Sequence, residues 1–115
     1  MRFLVLAYGA EEDWKKLSKE EQDALLAQDE VLKQRGALVA AVTPAVTTVR
    51  AWDGTPEVTH GAFANPMVPL AGFGIIEAAD LDEAIALVKD TPCARAKGAV
   101  EIRPILAMNE PGASS

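Results

Sequence analysis

The chain is poor in the residues that carry the most recognisable chemistry: its 115 positions hold one histidine and one cysteine. A single cysteine excludes an internal disulfide, which suits a reducing compartment. His60 and Cys93 stand 33 positions apart, a spacing that fits no usual zinc site, so no metal is expected. Basic residues are scarce as well, with 11 Lys and Arg against 17 Asp and Glu and a formal net charge of -6. No basic stripe is left to neutralise phosphates, and neither nucleic acid nor an anionic membrane surface is an expected partner. No apolar run approaches the roughly 18 residues that span a bilayer. The opening MRFLVLAYGA has an arginine and a short apolar run, but Glu11, Glu12 and Asp13 arrive too soon for a secretory signal, whose apolar core alone takes about 7–15 residues. A cytoplasmic location is expected. Gly72-Phe73-Gly74 sits inside an apolar strand with no helix directly after it, so it fails as a phosphate-cradling loop, and no cofactor is expected.

Half of the residues are hydrophobic, enough for one domain with a true core, which we place at 1–108 with a flexible tail at 109–115. Arg2 to Tyr8 has the composition of a strand. Glu11 to Leu17, with Trp14, suits a loop or a short helical turn. Ser18 to Glu21 matches a capping box, opening a helix to about Arg35 with Ala24, Leu25, Ala27, Val31 and Leu32 as its apolar stripe. Strands follow at Leu38 to Val42 and Val46 to Trp52. Asp53-Gly54 then turns the chain into a short arm, Pro56 to Thr59, that delivers His60. Asn65-Pro66 and Pro69 interrupt the loop before a strand from Gly72 to Ala78. A helix starts at Asp80 and presents Leu81, Ala84, Ile85 and Val88 on one face. Thr91-Pro92 opens a last turn with threonine as its cap, and Ala99 to Leu106 is the final strand.

This order is an α+β, ferredoxin-like βαββαβ frame with an extra hairpin. Sorting strand residues by parity puts Phe3, Val5, Ala7, Ile76, Ala78, Val100 and Ile102 on one face, suited to lie under the helices. The other face takes Arg2, Leu4, Leu6, Tyr8, Phe73, Ile75, Glu77, Glu101, Arg103 and Ile105. That mixture is too apolar to face water, so a homodimer that covers it and encloses a cavity between the sheets is expected.

Several features occur together in order: Tyr8-Gly9 after the first strand, Trp14, Leu17-Ser18-x-x-Glu21, Asp53-Gly54, Leu70-x-Gly72-Phe73, Asp80-Leu81-Asp82-Glu83-Ala84 and Val100-Glu101-Ile102-Arg103-Pro104. In these the chain resembles the YCII-related family, in the branch named for its DGPF motif, over nearly all of residues 1–106. The resemblance implies a ferredoxin-like fold that dimerises as an α/β barrel, without implying a particular reaction. The sequence departs at the naming motif itself, where His60-Gly61-Ala62-Phe63-Ala64 stands in the place of Asp-Gly-Pro-Phe-Ala.

His60 is the acid/base candidate, because imidazole titrates near neutral pH, although a lone histidine beside a turn glycine is also a common surface residue. Tyr8 is its expected catalytic companion. Arg50, Glu77 and Arg103 serve either as polar partners of that site or as ion pairs at a dimer seam. Trp14, Arg50, Phe63, Met67, Val68, Leu70 and Phe73 are the expected ligand-binding residues, with Trp52 a further aromatic; core or interface packing is the competing role for the apolar ones. Cys93, beside Arg95 and Lys97 at a helix start, is either a thiol of lowered pKa or a small buried hydrophobe. The reading is a cofactor-free lyase, isomerase or cyclase acting on a fairly apolar small molecule, or else a non-catalytic binding or structural module.

Overall fold

The computed structural model describes residues 1–64 and 68–109. Met67, with Asn65 and Pro66, and residues 110–115 of the expected tail lie outside them. The chain begins with strand β1 (Arg2–Tyr8), then helices α1 (Glu11–Lys15) and α2 (Lys19–Gln34), and strands β2 (Leu38–Ala41), β3 (Thr48–Arg50), β4 (Glu57–Thr59) and β5 (Leu70–Glu77). Helices α3 (Leu81–Val88) and α4 (Pro92–Arg95) and strand β6 (Ala99–Pro104) complete it.

Four strands form one antiparallel sheet in the order β2-β5-β1-β6, while β3 and β4 pair separately as a hairpin. In the large sheet β5 lies between β1 and β2, although α1 and α2 are what connect those two in sequence. This is the split β-α-β pairing that a βαββαβ order produces. It is an open sheet, with β2 and β6 at its edges.

Register confirms the sorting by parity. Phe3 faces Ile76, Val5 faces Ile102 and Ala7 faces Val100, whereas Leu4 pairs with Ile75 and Arg103, and Leu6 with Phe73 and Glu101. The first set lies under the helices. There Phe3, Val5, Ile76 and Ala78 form the core with Leu32 of α2 and with Ala84 and Val88 of α3. Phe3 is wholly buried.

The helices start as their caps dictate. Ser18 Oγ accepts from Glu21 N at 3.0 Å and Glu21 Oε1 accepts from Ser18 N at 3.2 Å, the full reciprocal box. Asp80 forms half of one: its carboxylate accepts from Glu83 N, but the Glu83 side chain reaches back one residue further, to Ala79 N. Thr91 corrects an expectation. Its hydroxyl donates to Val88 O at 2.6 Å, leaving α4 without a side-chain cap.

The helix faces are rotated from the expected stripes. On α2, Leu32 is buried and Leu25 half-buried, while Ala24, Ala27 and Val31 are exposed. On α3, Ala84, Leu87 and Val88 face inward, and Leu81 and Ile85 are about half exposed. Both helices are amphipathic over too few turns for composition alone to fix the buried azimuth. The strand β5 begins two residues before the expected Gly72, because Leu70 pairs with Tyr8 across an irregularity in β1. The opposite trend holds in the hairpin, where only Thr48–Arg50 and Glu57–Thr59 pair.

Truncating Phe3 to alanine is expected to lower unfolding free energy by about 3–5 kcal/mol. Ser18→Ala should cost only about 1 kcal/mol, through the lost cap. Urea denaturation followed by circular dichroism reads both.

Candidate functional site

The uncovered sheet face is defined by strand pairing. Leu4, Leu6, Leu38, Ala40, Phe73 and Ile75 stand on it, and none of them is buried within the chain. Its polar border comes from β1 and β6. Tyr8 Oη donates to Glu101 Oε1 at 2.9 Å, and Arg103 Nη2 lies 3.9 Å from the same oxygen. The hydrogen bond to Glu101 raises the Tyr8 pKa above its ordinary value, with desolvation and the Glu101 charge adding and Arg103 opposing. Tyr8 therefore stays a protonated phenol, a donor rather than a base. Glu77, at the end of β5, faces Arg2 across the strands.

The hairpin carries the remaining polar candidates. Arg50 Nη2 reaches Glu57 Oε1 at 3.2 Å, and its guanidinium stands 5.2 Å from the Trp52 ring centre, so Arg50 is engaged within its own hairpin. His60 follows β4 directly and is exposed; Phe63 is 72% exposed and Trp52 83%. Val68 is half-buried.

Two concavities lie elsewhere in the protomer. One, of about 340 Å³, sits at the end of β1, where Trp14, Leu70, Val42, Pro44 and Cys93 surround it. Gln22 Nε2 donates to Trp14 O at 2.9 Å and fixes α1, and with it the indole, against α2. The other, of about 310 Å³, lies between the helix side of the sheet and the helices, and Asp29, Leu32, Thr91, Cys93 and Val100 contribute to it. Its floor includes Gly72 and Gly74. A Cβ at Gly72 would stand 2.5 Å from Ala40 O, and one at Gly74 2.8 Å from Leu38 O, so neither can carry a side chain while β2 stays where it is.

The expected ligand-binding residues are thus dispersed. The structure brings Trp14 and Leu70 to the first concavity and Phe73 to the second. His60, Tyr8, Arg50, Phe63 and Val68 line neither. The hairpin stands apart as its own two-stranded sheet, which is why the loop that follows it does not bring His60 into a pocket within the protomer.

For Cys93 the structure favours the second of the two alternatives, the partly buried small hydrophobe. Burial pushes its thiol pKa up, and the nearby Asp29 charge adds to this. The single-turn α4 has too little dipole to offset desolvation, and Arg95 is drawn to Asp90 at 3.3 Å. Asp29 is the residue that sequence reasoning missed. It sits on α2 with its carboxyl pKa raised by burial, and Lys33 one turn on opposes the shift. Its signal was a carboxylate three residues before Leu32, on the edge of the buried stripe. Among the described residues no group of three or more His, Cys, Asp or Glu side chains could hold a metal, and no helix is long and apolar enough to cross a membrane.

The YCII-related domain model matches residues 1–109. The chain belongs to the YCII-related family. A relative within reach of sequence comparison is an uncharacterized protein of Rhizobium meliloti (strain 1021), 34% identical over 121 residues that cover 97% of each chain. Among solved structures, this YCII-related chain is similar to 5-chloro-2-hydroxyhydroquinone dehydrochlorinase from Burkholderia phenoliruptrix AC1100, in complex with 2,5-dihydroxybenzoquinone. That match has a TM-score of 0.47 and 20% identity, covering 91% of this chain and 93% of the other.

Tyr8 is the sole tyrosine, so ultraviolet titration of phenolate reads it alone. Glu101→Gln should bring its ionisation down toward the ordinary value near 10, and an unchanged titration would remove the Glu101 bond as the cause.

Proposed function

We propose that this YCII-related protein is a homodimeric, cofactor-independent enzyme that binds a fairly apolar small molecule between two facing sheets and carries out an acid/base step of lyase, isomerase or cyclase type. The observation that carries this reading is the uncovered face of Leu4, Leu6, Leu38, Phe73 and Ile75, bordered by the Tyr8–Glu101 hydrogen bond. Such a face against a second copy would close two ferredoxin-like sheets into an α/β barrel, with apolar walls and a phenol donor at its margin. The hairpin supports the dimer independently. Two-stranded hairpins are marginal in water on their own, and Val49 and Val58 are exposed by more than half in the protomer.

In this reading the hairpin arm extends across the dimer, and His60 meets the site only there, as proton acceptor opposite the Tyr8 donor. Phe63 and Val68 would follow it as apolar cover. Arg50 has the narrower role of stiffening the arm through Glu57 and Trp52. The reading takes residues 1–108 as a single domain. A non-catalytic binding or structural module is the second reading, favoured by the exposure of His60 outside both concavities of the protomer.

Sedimentation should give twice the 12.2 kDa chain mass, and Leu6→Asp should return it to the monomer by burying a charge at the seam. On a substrate found by screening small apolar carbonyl and hydroxyl compounds, His60→Ala should lower turnover by roughly 10²-fold or more while the dimer persists. Full turnover in that variant would leave the binding-module reading in its place.

A further inference from the structure

The concavity between the helices and the sheet combines three things that the sheet-face reading does not use. Its walls are largely apolar, from Val5, Leu32, Ile76, Val88 and Val100. Its volume of about 310 Å³ lies at the small end of ligand sites, which run from about 300 Å³ upward. At its rim stands a half-buried carboxylate, Asp29, which has no hydrogen-bond or ion-pair partner among the described residues. Lys33, one turn further along α2, stabilises that charge from a distance. Neighbouring polar groups are otherwise committed: the Thr91 hydroxyl donates to Val88 O, and Gln28 Nε2 donates to Leu87 O at 2.8 Å.

Gly72 and Gly74 project no side chain from β5, and the carbonyl oxygens of Ala40 and Leu38 in β2 stand where a Cβ would come, so this part of the cavity floor is backbone. Among the described residues, Asp29 accepts no hydrogen bond there, Lys33 is the one cationic side chain that also lines the cavity, and most of the remaining wall offers apolar contact. The complementary ligand is therefore one apolar ring or short branched chain carrying one hydroxyl, its O–H directed to Asp29 and its hydrocarbon body lying against Leu32, Val39 and Val100. An anionic ligand is disfavoured by Asp29 itself, and a nucleotide or other large cofactor exceeds the volume.

We propose that this sheet-helix cavity is a ligand site for a single-ring or similarly small apolar alcohol or phenol, with Asp29 as the group that accepts its hydroxyl proton in a hydrogen bond. The site is contained in one protomer, so it stands whether or not the sheet faces dimerise.

Cys93, the only thiol of the chain, lines the same cavity and supplies a readout. Alkylation by iodoacetamide, followed by mass, should be slowed by millimolar phenol. Anisole has nearly the same shape without the donor and should need roughly tenfold more or higher, the factor a hydrogen bond to a charged acceptor contributes. Asp29→Ala should abolish that preference, and Asp29→Asn, whose amide oxygen still accepts but carries no charge, should reduce it. The Asn variant should also melt no lower than the parent at neutral pH. A carboxyl whose folded pKa is raised weakens the fold above that pKa, and the deficit vanishes as pH falls through it. The titratable groups facing Asp29 are Lys33 on its own helix and Cys93 from α4. Should either variant fold poorly, the other gives the comparison of probes. Equal protection by phenol and anisole in the parent, protection by neither, or a preference that survives both substitutions would overturn the proposal. The last outcome would move binding to the Trp14 groove, which Cys93 also lines and Asp29 does not.

Discussion

β1 is hydrogen-bonded on both sides, to β5 and to β6, and its alternating side chains enter two environments of opposite character. Phe3 and Val5 anchor the buried core formed by the described residues. Leu4 and Leu6 point away from every helix. Because a strand alternates strictly, the chain cannot bury one set without presenting the other. The helices cover a single face, and the remaining hydrophobic surface of the sheet is the constraint under which the rest of the molecule operates.

Much of this was legible in the sequence because the periods involved are short and strict. Period-two alternation in Arg2 to Tyr8 sorted the two faces before any pairing was known, and the capping box at Ser18 fixed the start of α2. Asp53-Gly54 marked the hairpin between β3 and β4. The buried azimuths of α2 and α3 were less legible. A helix of few turns with alanines on several sides has nearly equivalent stripes, and contact with the sheet selects among them: of the expected α2 stripe Leu25 and Leu32 turn inward and Val31 does not, and on α3 Leu87 takes the place expected of Ile85.

The candidate site was legible only in part. Tyr8 and Glu101 share a face by parity, although their hydrogen bond needed the register that sets Tyr8 beside Ala99. In the sequence Cys93 could be a thiol poised beside basic residues or a small buried hydrophobe. Linear proximity to Arg95 and Lys97 says nothing about burial, and burial decided the direction of its pKa. Asp29 carried no motif. Its interest arises from a cavity whose other walls, on β5 and β6, come from more than 40 residues away in the chain.

The edges of the sheet have a separate consequence. β2 is four residues long and is followed shortly by Pro44, and β6 ends at Pro104. Both edges therefore offer a short row of free backbone groups, and proline removes a donor from the β6 end, the arrangement by which proteins discourage strand addition from neighbouring chains. Lateral growth into a continuous ribbon is obstructed while the broad face stays open. The molecule is thereby steered away from fibrous polymerisation.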